Sequence, residues 1–224
     1  MSIASQILKI NGELPSTVKL VAVSKFNPAD AIKEAYDAGQ RIFGESRPQE
    51  LKEKVAQLPS DIQWHFIGHL QTNKLKMVLP YVALVHSVDS ERLLMEINKY
   101  AVKNSLKVNC LLEVFIAQEE TKQGFSKDEL FELLDKIHQH PLEGVDICGL
   151  MGMASFVEDD NQIAAEFDQL QGIFNQAKEK YISTLPNFKE LSMGMSGDYK
   201  IAIERGSTLV RIGTSIFGAR NYNK

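Results

Sequence analysis

A lysine that closes a buried strand is placed to act as a nucleophile, and this chain has one at Lys25. It follows the apolar, β-branched run Val21-Ala22-Val23 and Ser24, just before Asn27-Pro28. Its amine would emerge at the strand's carboxyl end, where α/β proteins keep their chemistry, and could attack a carbonyl carbon. A lysine there is just as readily a solvated loop charge, so other residues must decide. Arg211 is the second candidate, set between Val210 and Ile212 and facing the opposite side of its strand. A buried guanidinium without a partner is very costly. Either Glu45 or Glu204 pairs with it, or an acceptor atom of a ligand does. The third candidate is a pair of glycine-rich segments, Met193-Gly194-Met195-Ser196-Gly197 and Arg211-Ile212-Gly213-Thr214. These would let backbone N–H groups and hydroxyls approach an anion, or would serve simply as tight turns.

Bringing such residues together needs elements in a regular order, and short β-rich runs do alternate with helical periodicity along the chain. Strands are expected over residues 19–25, 41–45, 63–68, 84–88, 108–115, 144–153, 190–193 and 209–218. A helix over 28–38 has Asn27 as N-cap, Pro28 in first position and Gly39 past its end. Others are expected over 48–57, 72–79, after residue 89 or 90, after the capping box Ser126-Lys127-Asp128-Glu129, over 160–181 and over 196–204. Strands alternating with helices pair in parallel through crossovers, and eight such units close a barrel. The expected fold is therefore α/β, a single (β/α)8 TIM-type barrel over residues 1–224 with an extra N-terminal helix. An open doubly wound sheet is the alternative, but no G-x-G-x-x-G follows the first strand.

In such a barrel the strand endings share one mouth, and here they are polar or glycine-rich: Lys25, Glu45-Ser46, Gly68-His69, Ser87, residues 118–124, Met153-Ala154 and the two glycine-rich segments. Barrels commonly hold a phosphate at the seventh and eighth endings, and Ser196-Gly197-Asp198 would open a short helix there. A lysine for an aldehyde, a cradle for a phosphate and an arginine for a ring nitrogen together describe pyridoxal 5'-phosphate (PLP).

Composition sets limits on the alternatives. Of 224 residues, 44% are hydrophobic and 24% charged, as in an ordinary soluble protein. A net charge of -4 argues against broad nucleic-acid binding, and an exposed helix face accounts for Lys74 and Lys76. No apolar run reaches the roughly 20 residues that span a bilayer, and residues 1–11 lack the pattern of a secretory leader. Cys110 and Cys148 lie in apolar runs without C-x-x-C spacing, which suits buried free thiols in the cytoplasm. His65, His69 and His86 have no metal-ligand spacing and are expected to satisfy core hydrogen bonds, with His69 near the site's rim. Trp64 is expected in the core.

Several long motifs carry a resemblance. Ala22-Val23-Ser24-Lys25, Arg41-Ile42-Phe43-Gly44-Glu45, residues 64–74 (WHFIGHLQTNK), residues 191–198 (LSMGMSGD) and residues 206–218 (GSTLVRIGTSIFG) closely resemble the YggS/PROSC family of pyridoxal phosphate homeostasis proteins. The resemblance implies a fold-type III barrel of the alanine racemase kind, with PLP held as a Schiff base on Lys25. It implies a phosphate site at Ser196, Gly213 and Thr214 and places Arg211 near the pyridine nitrogen, with Ser46 and Met193 completing the cofactor-binding set. The chain departs from the family's usual Gly-Glu-Asn-Tyr-x-Gln-Glu, showing Gly44-Glu45-Ser46-Arg47-Pro48-Gln49-Glu50. Arg47 replaces the aromatic and is either a second phosphate contact or a solvated helix-start residue.

The implied role is intracellular PLP homeostasis and carriage by a monomer, with amino acids and PLP-dependent apoenzymes as further partners. A PLP-dependent amino-acid racemase is the alternative, and a lysine-dependent aldolase a more distant one. Racemisation needs a base on each face of the cofactor, and the sequence ends at Lys224, six residues after Gly218, so no second domain is expected to supply one. An arginine at the ring nitrogen also disfavours ring protonation and weakens the electron sink. Binding without substantial turnover is the expectation.

Overall fold

The alternation of buried runs and amphipathic stretches appears, in a computed structural model describing residues 2–117 and 123–218, as eight parallel strands closed into a barrel. The elements in order are α1 (Ile3–Glu13), β1 (Lys19–Val23), α2 (Ala29–Asp37), β2 (Ile42–Glu45), α3 (Pro48–Val55), β3 (Gln63–Phe66), a 3-10 turn (Thr72–Lys74) running into α4 (Leu75–Val78), β4 (Val82–Val88), α5 (Glu91–Lys103), β5 (Val108–Glu113), α6 (Lys127–Gln139), β6 (Val145–Met151), α7 (Asp160–Tyr181), β7 (Glu190–Ser192), α8 (Tyr199–Glu204), β8 (Leu209–Ile212) and α9 (Thr214–Phe217). β1 pairs with β2 on one side and β8 on the other, which closes the ring and leaves no sheet edge.

Side chains alternate in and out along each strand. Val21, Leu84, Leu111, Met151 and Leu209 pack together inside the barrel. Ala22, Phe43, Trp64, Phe66, Leu112, Leu191 and Val210 belong to the larger apolar shell that the helices cover. Trp64 is in that shell, tilted against Phe43 with ring centroids 5.9 Å apart. Cys110 is buried and Cys148 half-buried, both as free thiols. Among the described residues no helix is long and apolar enough to cross a membrane.

Local chemistry sets most boundaries. Ser126 and Glu129 form the capping box read from the sequence, and α7 spans residues 160–181 as its periodicity predicts. Three expectations are corrected. Pro28, with extended backbone at φ -71° and ψ 162°, is the N-cap of α2, so the helix starts at Ala29. Asn27 instead donates its side-chain amide to the carbonyl of Lys25 at 3.2 Å. β8 stops at Ile212 because its partner ladder on β1 runs out at Ala22, and the next residues turn helical. Ile216 and Phe217 both donate to the Gly213 carbonyl at 2.9 Å. Residues 196–198 form a turn, and α8 begins only at Tyr199.

Candidate functional site

At the C-terminal mouth a cavity of about 570 Å³ opens among the ends of β1, β6, β7 and β8, and Lys25, Ser196, Arg211, Gly213 and Thr214 all line it. That volume suits a small organic ligand, for which pockets of roughly 300–1,000 Å³ are usual. Met153 and Met195 supply apolar wall. Ser46 and Met193 do not line it. Met193 follows inward-facing Ser192, so alternation turns its side chain outward, where it is fully buried in the shell. Ser46 lies at the end of β2 against Gly68, where a Cβ would come within 2.4 Å of the Ser46 carbonyl oxygen.

Arg211 enters from β8, whose register sets it beside Val21 of β1. Its Nη1 donates to the Ser192 carbonyl at 2.9 Å and to Ser192 Oγ at 2.6 Å, and its Nη2 donates to the Gly152 carbonyl at 3.1 Å. Neither Glu45 nor Glu204 is its partner. A guanidinium held by neutral acceptors feels its burial, which lowers its pKa to about 10 against the opposing pull of Asp198 and Glu113. It remains a cation at neutral pH.

The two glycine-rich segments meet at the mouth. The Gly213 N–H donates to Ser196 Oγ at 3.3 Å, joining the loops after β7 and β8. A Cβ on Gly213 would lie 3.2 Å from Val23 Cβ and press on the end of β1. Asp198 Oδ1 accepts the Met195 N–H and closes the turn; burial pushes its carboxyl up, while that hydrogen bond and the field of Arg211 oppose the shift.

Behind the mouth the barrel interior carries a polar layer beside its apolar cluster. His65 Nδ1 lies 2.9 Å from His86 Nε2, and His86 Nδ1 lies 3.0 Å from Ser192 Oγ. Desolvation lowers the pKa of His65 to about 3 and holds that of His86 well below its usual range, so both rings are neutral. His69 is exposed, with Nδ1 3.0 Å from Asp89 Oδ2. Among the described residues no three His, Cys, Asp or Glu side chains are grouped to hold a metal.

Sequence reasoning missed Glu113 and Ser192. Glu113 is buried at the end of β5, and desolvation, then the neighbouring charge of Asp89, raises its pKa to about 7. The parity of β5 was the available signal, since Leu111 faces inward two residues earlier. Of the expected segment 118–124, residues 118–122 lie outside the described residues.

Residues 2–221 match the family described as alanine racemase, N-terminal domain. The pyridoxal phosphate homeostasis protein of Aquifex aeolicus is 40% identical over 212 residues, covering 94% of this chain and 91% of that one. Its counterpart in Vibrio cholerae is 39% identical over 218 residues, covering 95% and 90%. The structure of PipY from Synechococcus elongatus with PLP bound superposes with a TM-score of 0.87 at 35% identity, covering 97% of this chain and all of that one.

Proposed function

Because the chain belongs to the alanine racemase N-terminal domain family, among the pyridoxal phosphate homeostasis proteins, we infer that it binds PLP at the C-terminal mouth of its barrel. The role is intracellular homeostasis of that cofactor: holding it and releasing it to apoenzymes. The observation that carries this reading is the convergence of Lys25, Ser196, Arg211, Gly213 and Thr214 on one cavity of about 570 Å³. PLP presents an aldehyde, a ring nitrogen and a phosphate, and these residues offer an amine, a cation and two hydroxyls beside glycine backbone.

When bound, the cofactor supplies a carbonyl carbon that takes primary amines reversibly. Lys25 tethers it there as a Schiff base. Ser196, Thr214 and the backbone around Gly213 would hold the phosphate. Arg211, whose orientation is fixed by its bonds to Ser192 and Gly152, would offer a permanent donor to the ring nitrogen. A nitrogen facing a cation stays unprotonated, which favours holding the cofactor over proton chemistry on amino acids. The reading includes a cytoplasmic monomer, with amino acids competing for the bound aldehyde.

The test is an absorbance spectrum of the full chain loaded with PLP, before and after borohydride reduction. Wild type should show a visible band that reduction bleaches, with the label recovered on Lys25. Visible absorbance undiminished in Lys25→Ala would overturn the tether. Vigorous turnover of an amino acid by the purified protein would overturn the carrier role in favour of a racemase.

A further inference from the structure

Arg47 stands where the chain departs from the family's tyrosine, and it does not line the cavity. Its guanidinium carbon sits 4.3 Å from the centre of the Phe26 ring, and its Nη1 lies 3.6 Å from Glu50 Oε1. Phe26 directly follows Lys25 and has φ +65°, a left-handed conformation rare for a bulky aromatic residue. Such a backbone persists only where its surroundings over-determine it.

The surroundings here do so on both sides of Lys25. After it, the Phe26 N–H donates to Glu50 Oε2 at 2.9 Å. Before it, the Ser24 carbonyl accepts from Lys54 Nζ at 3.0 Å, and Ser24 Oγ donates to Glu45 Oε1 at 2.5 Å. Lys54 ties the two sides together by donating also to Glu45 Oε1 at 2.7 Å and Glu50 Oε2 at 3.1 Å. The Lys54 and Glu45 side chains are only 8% and 0% exposed. Glu45 Oε2 is buried with no partner among the described residues. Buried ion clusters seldom add net stability, and one that leaves an oxygen unsatisfied adds less, so specificity of geometry is the better account.

We propose that Lys54, Glu45, Glu50 and the Arg47–Phe26 stack form a clamp that presents the Lys25 amine to an incoming aldehyde, with Arg47 as its outer latch. This rests on the reading of Lys25 as the Schiff-base lysine. In that step the amine nitrogen adds to the aldehyde carbon and a C=N bond forms. The carbonyl oxygen leaves as water with both amine hydrogens, and nothing is oxidised or reduced. Alignment of the amine governs the rate of such an addition, so the clamp residues are positioning residues.

The experiment follows PLP capture by the cofactor-free full chain in stopped-flow absorbance for Arg47→Ala, Phe26→Ala, the double variant and Arg47→Lys. Each alanine variant should slow capture about two- to fivefold, the range of an exposed cation–π contact. The double variant should be no slower than the slower single one, because one stack is lost in each case. Arg47→Lys should recover part of the rate while all four variants melt within a few degrees of wild type, the shift that loss of one exposed contact allows. Unchanged rates, or slowing that tracks a fall in melting temperature, would overturn the clamp. Amide exchange at Phe26 in the cofactor-free protein gives a second arm, expected to be faster in Arg47→Ala. Wild-type exchange there, with Lys25 chemistry intact, would overturn the clamp alone. Undiminished capture by Lys25→Ala would overturn the tether, and the clamp's purpose with it.

Discussion

At the scale of single residues, the arginine sets one hydrogen-bond direction inside the barrel. Arg211 can only donate, so Ser192 Oγ accepts from it, which leaves the Ser192 hydrogen and a second lone pair for its neighbours, His86 Nδ1 at 3.0 Å among them. His86 Nε2 and His65 Nδ1, 2.9 Å apart in a pair of neutral rings, share one proton between them as donor and acceptor. The titrating groups of this interior give stability opposite slopes with pH. Glu113 keeps its proton up to about pH 7 when folded, against the usual 4.5, so the native state holds the extra proton between those values and stability from this group falls as pH rises. His65 stays neutral down to about 3 while the unfolded ring protonates near 6.5, so its contribution is lost as pH falls through that window. Because the His65 slope opposes that of Glu113 over most of this window, Glu113→Gln should make melting temperature climb more steeply with pH between 4.5 and 7 than it does in wild type; an unchanged profile would assign the extra proton elsewhere. Thr214→Ala should weaken PLP retention about ten- to hundredfold, since a hydrogen bond to a charged group contributes about 1.5–3 kcal/mol. An unchanged dissociation constant in equilibrium dialysis would remove Thr214 from the phosphate site. That Lys25, Arg211, Ser196, Gly213 and Thr214 would gather at one mouth was legible because they lie at or beside the ends of apolar runs. Glu113 was not singled out, because a lone acid near a strand end looks like a solvated one until the barrel surrounds it.

At the scale of elements, the ends matter more than the middles. β6 carries a bulge, with Cys110 of β5 paired to Ile147 and Leu111 to Gly149. Gly149 has φ +149°, and a Cβ there would come within 1.8 Å of the Glu190 carbonyl oxygen on β7. Gly149→Ala should therefore cost at least about 1–3 kcal/mol, the penalty for such backbone in a residue with a side chain, with the clash added. Urea denaturation would show it, and a wild-type midpoint would argue that β7 yields without cost. Ser126→Ala removes a capping box and should cost about 0.5–2 kcal/mol by the same measurement, with no change in PLP binding. The Ser126 capping box and the length of α7 were legible because they depend on neighbours in sequence. The switch from β8 to α9 was not, because it depends on where the ladder with β1 runs out.

At the scale of the whole molecule, closure between β1 and β8 joins the first and last strands of the described chain in one ring, so either half by itself would expose two unpaired strand edges. We therefore expect residues 1–224 to unfold as one unit. Fluorescence of Trp64, buried in the outer shell, should change together with far-ultraviolet circular dichroism in urea. Separated transitions would divide the chain into smaller units. Periodicity, capping residues and the order of motifs determined the α/β barrel and the short set of residues able to do chemistry, because those signals are local and repeat with the geometry of helix and strand. Tertiary structure alone decided that Arg211 is held by Ser192 and Gly152, that Met193 faces away from the cavity, and that Arg47 reaches Phe26. Each depends on the register and parity of strands distant in sequence and on the packing of α3 against the end of β1, which no window of residues contains.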